Sequence, residues 1–598
     1  MLRLFRFLRP YRVAIALVMT LILIQSLSEL YLPTLMADIV NRGVIEGDKP
    51  FIWRMGGYML LITLLGTAVS ILASLYASKI SSGFGRIVRG KVFQHAEHFS
   101  LQEFDRIGTA SLITRTTNDI NQVQQVLMMM LRLMVMAPMM CIGGIIMALY
   151  KDAELTLVLL VALPVLAGAI WLITSKGMPY FKAIQKKLDR LNLVLREGLT
   201  GIRVIRSFNR TAHENERFTE ANADLMQTSI KVNQIMAVMM PVMMLIMNLS
   251  TIAIVYFGGL RIDNGAMGVG DLMAFIQYAM QIMFSLLMFS MMFVMVPRAS
   301  ASAARINEVL ELEPSVTDID GVEIKASAGS EDGVKEAPGS KGGVKEAAAG
   351  VGSVVEFANV SFSYPGAEMP ALSDISFQAG RGEITAIIGG TGSGKSTLIH
   401  LIPRFFDVAS GSVRVSGKDV REWTQEELRE RIALVPQKAV LFSGTVAENI
   451  RYGKEDATDE EIRRAAETAQ ALDFVSAMPE GFDSVLSQGG TNVSGGQKQR
   501  LSIARALVRK PEVYLFDDSF SALDYKTDAK LRSALRAETA DAAVLIVAQR
   551  VSTVMDADRI IVLDEGRIAG IGTHKELMET SGVYREIVSS QLSEEESA

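Results

Sequence analysis

The sequence predicts an α-helical six-span transmembrane domain followed by an α/β P-loop nucleotide-binding domain. Three observations carry that prediction. Six apolar runs fill the first half of the chain, a polar low-complexity tract follows them, and residues 389–397, GGTGSGKST, fit the phosphate-binding pattern G-x-x-x-x-G-K-[ST]. At 598 residues the chain exceeds one ordinary core, and 49% hydrophobic residues with a mean hydropathy of +0.27 is too apolar for a purely soluble multidomain protein. The net charge of −5 is modest, and no clustered basic face marks a nucleic-acid binder.

The apolar runs lie at 13–36, 55–77, 126–149, 155–174, 235–259 and 272–296. Each can cross a hydrocarbon core of about 30 Å, which takes about 20 helical residues. Cations set the orientation, because cytoplasmic segments next to spans are enriched in Lys and Arg. The N-terminal MLRLFRFLRPYR is basic, Lys79, Arg86, Arg89 and Lys91 follow the second span, and Lys186, Lys187, Arg190 and Arg196 follow the fourth. The alternate connections are short and carry few cations. This pattern places the chain in the cell membrane as a multi-pass protein surrounded by lipid bilayer, with both termini and the nucleotide-binding domain cytoplasmic. No small-residue cleavage pattern follows the first apolar run. The lone Cys141 lies in the third span, which excludes an intrachain disulfide.

Two cytoplasmic segments, 79–125 and 176–231, are too long for turns and read as helical extensions of the spans. The transmembrane domain is expected over 1–314 and a largely disordered linker over 315–353. Its stretch 321–352 is rich in Gly, Ala, Ser, Lys and Glu and repeats GVKEA at 333–337 and 343–347. Residues 354–598 then alternate short strands and helices.

Within that last domain the strand EITAIIG runs into the phosphate loop, and helix-compatible residues follow it. Gly389, Gly390, Gly392 and Gly394, with Thr391 and Ser393 between them, let the backbone fold tightly round phosphate oxygens. Lys395 would reach the outer phosphates, Ser396 would ligate Mg2+, and Thr397 continues the helix start. The apolar strand VYLFDD ends in two carboxylates, at the strand end where parallel sheets bind ligands. Asp517 there is the expected water-mediated partner of Mg2+.

VSGGQKQR at 493–500, followed by VYLFDDSFSALD, resembles the ATP-binding-cassette family. With six spans in front, the chain resembles a half-transporter of the bacterial multidrug-exporter type. GLTGIRVIRSF and FDRIGTASLITRTTND are similar to the family's cytoplasmic loops, whose short coupling helices press on nucleotide-binding domains. The resemblance implies ATP and Mg2+ as cofactors and assigns roles by position. Tyr364 in FSYPG would stack on adenine, and Gln437 would contact Mg2+ and sense the membrane domain. Ser494, Gly495, Gly496 and Gln497 would clamp the γ-phosphate held by the opposite subunit, and Asp524 would belong to a loop that communicates between subunits.

Two positions depart from the family pattern. Asp518 stands where a glutamate normally polarises the attacking water, and Gln549 in IVAQR stands where a histidine is expected. One methylene less withdraws the carboxylate by about 1.5 Å, and misplacement by about 1 Å costs roughly 10²-fold in rate. Gln can donate to phosphate but cannot carry imidazolium charge. Together these imply an impaired site on this chain, an intact signature completing a partner's site, and a heterodimer with a second half-transporter.

The spans are rich in methionine. Met236, Met240, Met243 and Met247 share one helical face, and Met280, Phe284, Met288, Met291 and Met295 form another; flexible thioethers suit varied apolar ligands, while ordinary packing is the plainer explanation. Glu29 and Arg132 are ionisable residues inside apolar spans. The expected activity is ATP hydrolysis coupled to export of small amphipathic or lipophilic compounds. The alternatives are a homodimeric lipid or peptide exporter and a nucleotide-gated channel.

Overall fold

The computed structural model describes residues 1, 3–318 and 353–591, without the side chains of 290, 291, 293 and 294. The expected disordered linker at 321–352 lies outside these residues. Two compact units emerge: Met1–His98 with Ile107–Leu312, and Phe99–Arg106 with Glu313–Ala598. The second unit therefore takes in a short stretch that the sequence reading left inside the membrane domain. That stretch carries most of the helix Leu101–Ile107, whose Glu103 is buried. Glu103 accepts from the backbone N–H of Ser100 at 2.8 Å and of Ser315 at 3.2 Å.

The first unit consists chiefly of six long helices: α1 (Arg12–Asp38), α2 (Lys49–Glu97), α3 (Ile120–Lys151), α4 (Thr156–Thr200), α5 (Thr211–Asp263) and α6 (Val269–Glu311). Six candidate spans match the six apolar runs. At 1.5 Å per residue, the 49 residues of α2 rise about 74 Å, over twice the hydrocarbon thickness. The helix thus continues unbroken past the span, as do α4 and α5. Asp48 caps α2 by accepting from Phe51 N–H at 3.0 Å, with Pro50 in the first turn, where a missing N–H costs nothing.

In this unit α1 packs on α2, α3 on α6, and α4 on α5, around a core that includes Leu30, Met140, Leu166, Phe275, Tyr278 and Ile282. Tyr278 is fully buried and stays satisfied by donating to the Leu30 carbonyl at 2.9 Å. Ion pairs join the second and third of the three short connections with few cations, and Asn41, just ahead of the first, hydrogen-bonds to the third. Lys151 reaches Asp271 at 2.6 Å, Asn41 donates to the same carboxylate at 2.9 Å, and Arg261 reaches Asp152 at 2.7 Å.

The methionine faces do not behave as single stripes. Met243 is buried in the core with Met247 packed against it, whereas Met240 and Met280 are exposed. The side chain of Met291 lies outside the described residues.

The second unit contains two main sheets. The antiparallel one has the order β2-β1-β4-β5, from β1 (Ser353–Phe362), β2 (Leu372–Gly380), β4 (Ser410–Val415) and β5 (Lys418–Asp419). The six-stranded sheet has the order β12-β11-β3-β10-β9-β6. Its strands are β3 (Ile384–Gly389), β6 (Ile432–Val435), β9 (Val513–Asp517), β10 (Ala543–Val547), β11 (Arg559–Asp564) and β12 (Arg567–Gly572). All pairings in it are parallel except β11 with β12. A two-stranded ribbon joins β7 (Gly444–Thr445) to β8 (Val485–Leu486). Strands β9 and β10 are buried along their whole length, which explains their uninterrupted apolar sequences.

Candidate nucleotide site

The site grows from the C-terminal ends of four adjacent parallel strands. In the order β3-β10-β9-β6, the chain leaves β3 into the phosphate loop, β10 toward Gln549, β9 into Asp518 and β6 toward Gln437. Register places Val547 beside both Ile387 and Asp517, and Val435 beside Phe516. Four loops far apart in sequence therefore open on one edge, as expected for ligand sites of parallel sheets.

At the end of β3 the glycines have specific reasons. A Cβ on Gly389 would lie 2.2 Å from the Leu563 carbonyl, and Gly394 has φ +94° with a Cβ position 2.8 Å from the Ala371 carbonyl. Gly392 also takes a positive φ, whereas a Cβ on Gly390 would meet nothing. The loop ends at helix α7 (Lys395–Leu401). Lys395 turns back into the loop, donating to the carbonyls of Gly389 at 2.9 Å and Gly390 at 2.7 Å. Burial pulls its ammonium below the usual lysine range, partly opposed by the carboxylates of Asp518 and Asp517. Ser393 is buried, and Thr391 is exposed on the loop.

Ser396 Oγ donates to Asp517 Oδ1 at 2.9 Å, joining the loop to the end of β9. Thr397 Oγ1 lies 3.0 Å from the Tyr364 hydroxyl, so the aromatic is tied to the same helix. Its ring meets Phe362 and Phe406 edge-on, at centroid distances of 4.9 and 5.5 Å, and remains 38% exposed, enough to offer a stacking surface.

Asp518 is buried and takes φ +47°, a left-handed conformation that Asp tolerates better than most residues. Its N–H donates to the Val547 carbonyl at 3.0 Å, pinning it to β10. Its Oδ2 accepts from two amides, Gln549 Nε2 at 2.9 Å and Gln437 Nε2 at 3.3 Å. Burial pushes the carboxyl above the usual aspartate range despite the hydrogen bond from Gln437. Both substituted positions are thus in direct contact.

His400 is the residue that sequence reasoning passed over. Its Nε2 sits 3.9 Å from Asp517 Oδ2, and burial lowers its affinity for a proton. The available signal was helical spacing: His400 follows Ser396 by four residues and so shares its face.

The signature residues form a separate constellation at the start of α8 (Gly495–Leu507). Ser494 is its N-cap, accepting from Gln497 N–H at 3.3 Å, while Gln497 Oε1 accepts from Ser494 N–H at 2.8 Å. Gly495 is open, and a Cβ on Gly496 would approach the Ala522 carbonyl to 3.2 Å. Asp524 caps the helix α9 (Tyr525–Glu538) through Thr527 N–H at 3.0 Å, and that bond holds its carboxyl below the usual range. Among the described residues no hydrogen bond joins Ser494, Gln497 or Asp524 to the phosphate loop.

A phosphate loop, a strand-end carboxylate pair and a helix-capping SGGQ, carried behind six membrane helices, define a membrane-coupled ATPase. Two family models match: ABC transporter transmembrane region over residues 15–286, and ABC transporter over residues 372–521. The chain is 43% identical to an uncharacterized ABC transporter ATP-binding protein of Mycobacterium tuberculosis (strain CDC 1551 / Oshkosh), over 98% of this chain and 97% of that protein. It is 30% identical to the ATP-dependent lipid A-core flippase of Vibrio vulnificus (strain YJ016), over 99% and 97%. A solved bacterial Atm1-family ABC exporter with ATP bound shares the fold, with a TM-score of 0.78 at 24% identity over 98% of this chain and 99% of that one. The chain belongs to the ABC transporter family, as a half-transporter of exporter type in which an ABC ATPase domain follows the transmembrane region.

Proposed function

We propose that the chain is the impaired-site subunit of a heterodimeric exporter of amphipathic or lipophilic compounds. Its partner would be a second half-transporter, and hydrolysis would occur mainly at the site this chain's signature completes there. The observation that carries the reading is the contact of Gln549 with Asp518. A general base must lie within hydrogen-bond reach of the attacking water. Here the carboxylate is one methylene shorter than the expected glutamate, and its Oδ2 is anchored by two amide N–H groups, one of them from the residue that replaces the expected histidine, so its reach toward a water is reduced.

Nucleotide binding is a different demand, and the residues present suit it. The glycine-lined loop excludes side chains where phosphate oxygens would lie, and Lys395 has donors to turn from its own loop toward phosphate. Ser396, Gln437 and Asp517 offer a hydroxyl, an amide and a carboxylate, the oxygen donors that fit Mg2+. When bound, that ion would neutralise phosphate charge. Tyr364 would face adenine. The signature of this chain would clamp the γ-phosphate on the partner's loop, with Asp524 beside it. The cation pattern supports cytoplasmic placement of both termini.

A second reading, a homodimeric lipid exporter, draws on the near full-length similarity to the lipid A-core flippase. Expression of the chain alone, and together with a half-transporter bearing glutamate and histidine at the two altered positions, separates the readings. Substrate-stimulated ATPase restricted to the pair supports the heterodimer. Full turnover from the chain alone rejects it.

A further inference from the structure

A groove of about 270 Å³ runs between α1 and α2, and its lining is out of keeping with its place inside two apolar spans. Gln25, Ser28 and Glu29 face it from α1, and Thr63, Thr67 and Ser70 from α2. Glu29 is its one ionisable side chain, and no Lys, Arg or His lines it. An ionisable group in a span is expensive and is found where it meets a partner or a cavity. Among the described residues the Glu29 carboxylate accepts one hydrogen bond, from Gln25 Nε2 to Oε1 at 2.9 Å, and Oε2 receives none.

The hydroxyls sharpen the preference. Ser28 donates its proton to the Ile24 carbonyl at 2.9 Å, Thr63 to Met59 at 2.8 Å and Thr67 to Thr63 at 2.8 Å. Each oxygen is thereby left as an acceptor only. Thr63 and Thr67 are exposed on α2, so the groove can be reached from outside the helix pair. A carboxylate beside the spent hydroxyls of Ser28, Thr63 and Thr67 calls for a cation that carries N–H groups. A quaternary ammonium supplies charge without donors, and a neutral alcohol supplies a donor without charge.

We propose that the α1–α2 groove binds the protonated amine of a lipophilic compound, with Glu29 as counter-ion and Thr63 and Thr67 accepting its N–H groups. The proposal deepens the exporter reading and rests on it for the fate of the bound compound. Binding itself can be measured without transport. The full chain in lipid nanodiscs is titrated with radiolabelled dodecylamine, dodecyltrimethylammonium and dodecanol, with empty nanodiscs as background.

Saturable dodecylamine binding at least tenfold tighter than that of the other two is expected, a ratio in keeping with hydrogen bonds to a charged group. Glu29→Gln should weaken dodecylamine about tenfold or more and change dodecanol little. Thr67→Val, nearly isosteric, should weaken dodecylamine in the same direction at unchanged thermal stability. Equal binding of the three probes, or dodecylamine binding unaffected by both substitutions, overturns the groove assignment. ATPase of the assembled transporter distinguishes the levels. Stimulation by amphiphiles that ignores Glu29→Gln leaves the exporter reading standing without this site, and no stimulation by any amphiphile removes the substrate class itself.

Discussion

Ser494 caps the start of α8 and Asp518 follows the end of β9, and the chain builds around the two in opposite ways. Ser494 has ordinary extended backbone angles, closes a reciprocal capping box with Gln497 and stays exposed. Its hydroxyl only accepts in that box, so its proton remains available to an external phosphate oxygen. Asp518 is buried, held in the left-handed region at a cost of about 1 kcal/mol and engaged by two amides. The comparison teaches that one half of the machinery faces outward with a donor to offer, while the other is buried with one carboxylate oxygen anchored by two amides. A chain working at a partner's site and idle at its own would have this asymmetry.

The strongest way to break the comparison is Ser494→Ala in the assembled complex. Loss of one preorganised donor to developing charge costs about 10²–10³ in turnover, and ATPase should fall by that order. Capping contributes only about 1 kcal/mol of the stability. Ser494→Gly, which preserves most of the capping energy, should lose as much activity; retained activity in the glycine variant would assign the residue to capping alone.

Next in size is a repair of the other side. Asp518→Glu combined with Gln549→His, tested against a partner whose own site is disabled, should raise ATPase at this chain's site by about tenfold or more. That lies below the 10²–10⁴ that a positioned base typically supplies, because backbone geometry at 518 is unchanged. No gain at all would place the impairment elsewhere than in these two side chains.

Gln497→Ala sharpens the signature side. It removes the reciprocal half of the capping box and should cost the domain no more than about 1 kcal/mol, read as a small drop in thermal midpoint. ATPase should fall less than with Ser494→Ala. An equal fall would make helix integrity, and not the serine hydroxyl, the limiting feature.

The smallest effect is expected from Asp518→Asn, which should change turnover of the complex little. Its stability effect has a definite sign. Burial raises the folded-state pKa above the ordinary 3.8, so the wild type loses stability as pH rises through the folded value. The neutral Asn, equally tolerant of positive φ, escapes that loss. The variant should therefore be slightly more stable than wild type at neutral pH, with the advantage vanishing below about pH 4. Thermal melts across that range check it, and a variant less stable at every pH would refute the burial argument.

Much of the architecture was legible beforehand because its signals are local. Twenty apolar residues identify a span wherever they occur, and the phosphate loop is contiguous. The Ser494 cap rests on a local signal too, Ser and Gln three residues apart, although in the sequence these residues read only as the signature. What escaped were contacts made between distant segments. His400 beside Asp517 needed the facing of α7 on β9, and the split of the methionine stripe into buried Met243 and exposed Met240 needed the packing of α5 among its neighbours.

By itself the sequence determined the order of the parts, six apolar helices followed by an α/β domain with a phosphate loop, and it marked Asp518 and Gln549 as departures from the family pattern. Only the tertiary structure decided that these two side chains touch. Residues 518 and 549 meet because β9 and β10 are parallel neighbours with Asp517 in register with Val547, and Gln437 joins them because β6 lies on the other side of β9. Strand order in a parallel sheet follows from how the crossover helices pack, a property of the whole domain, so no local stretch of sequence encodes which strand ends will share an edge.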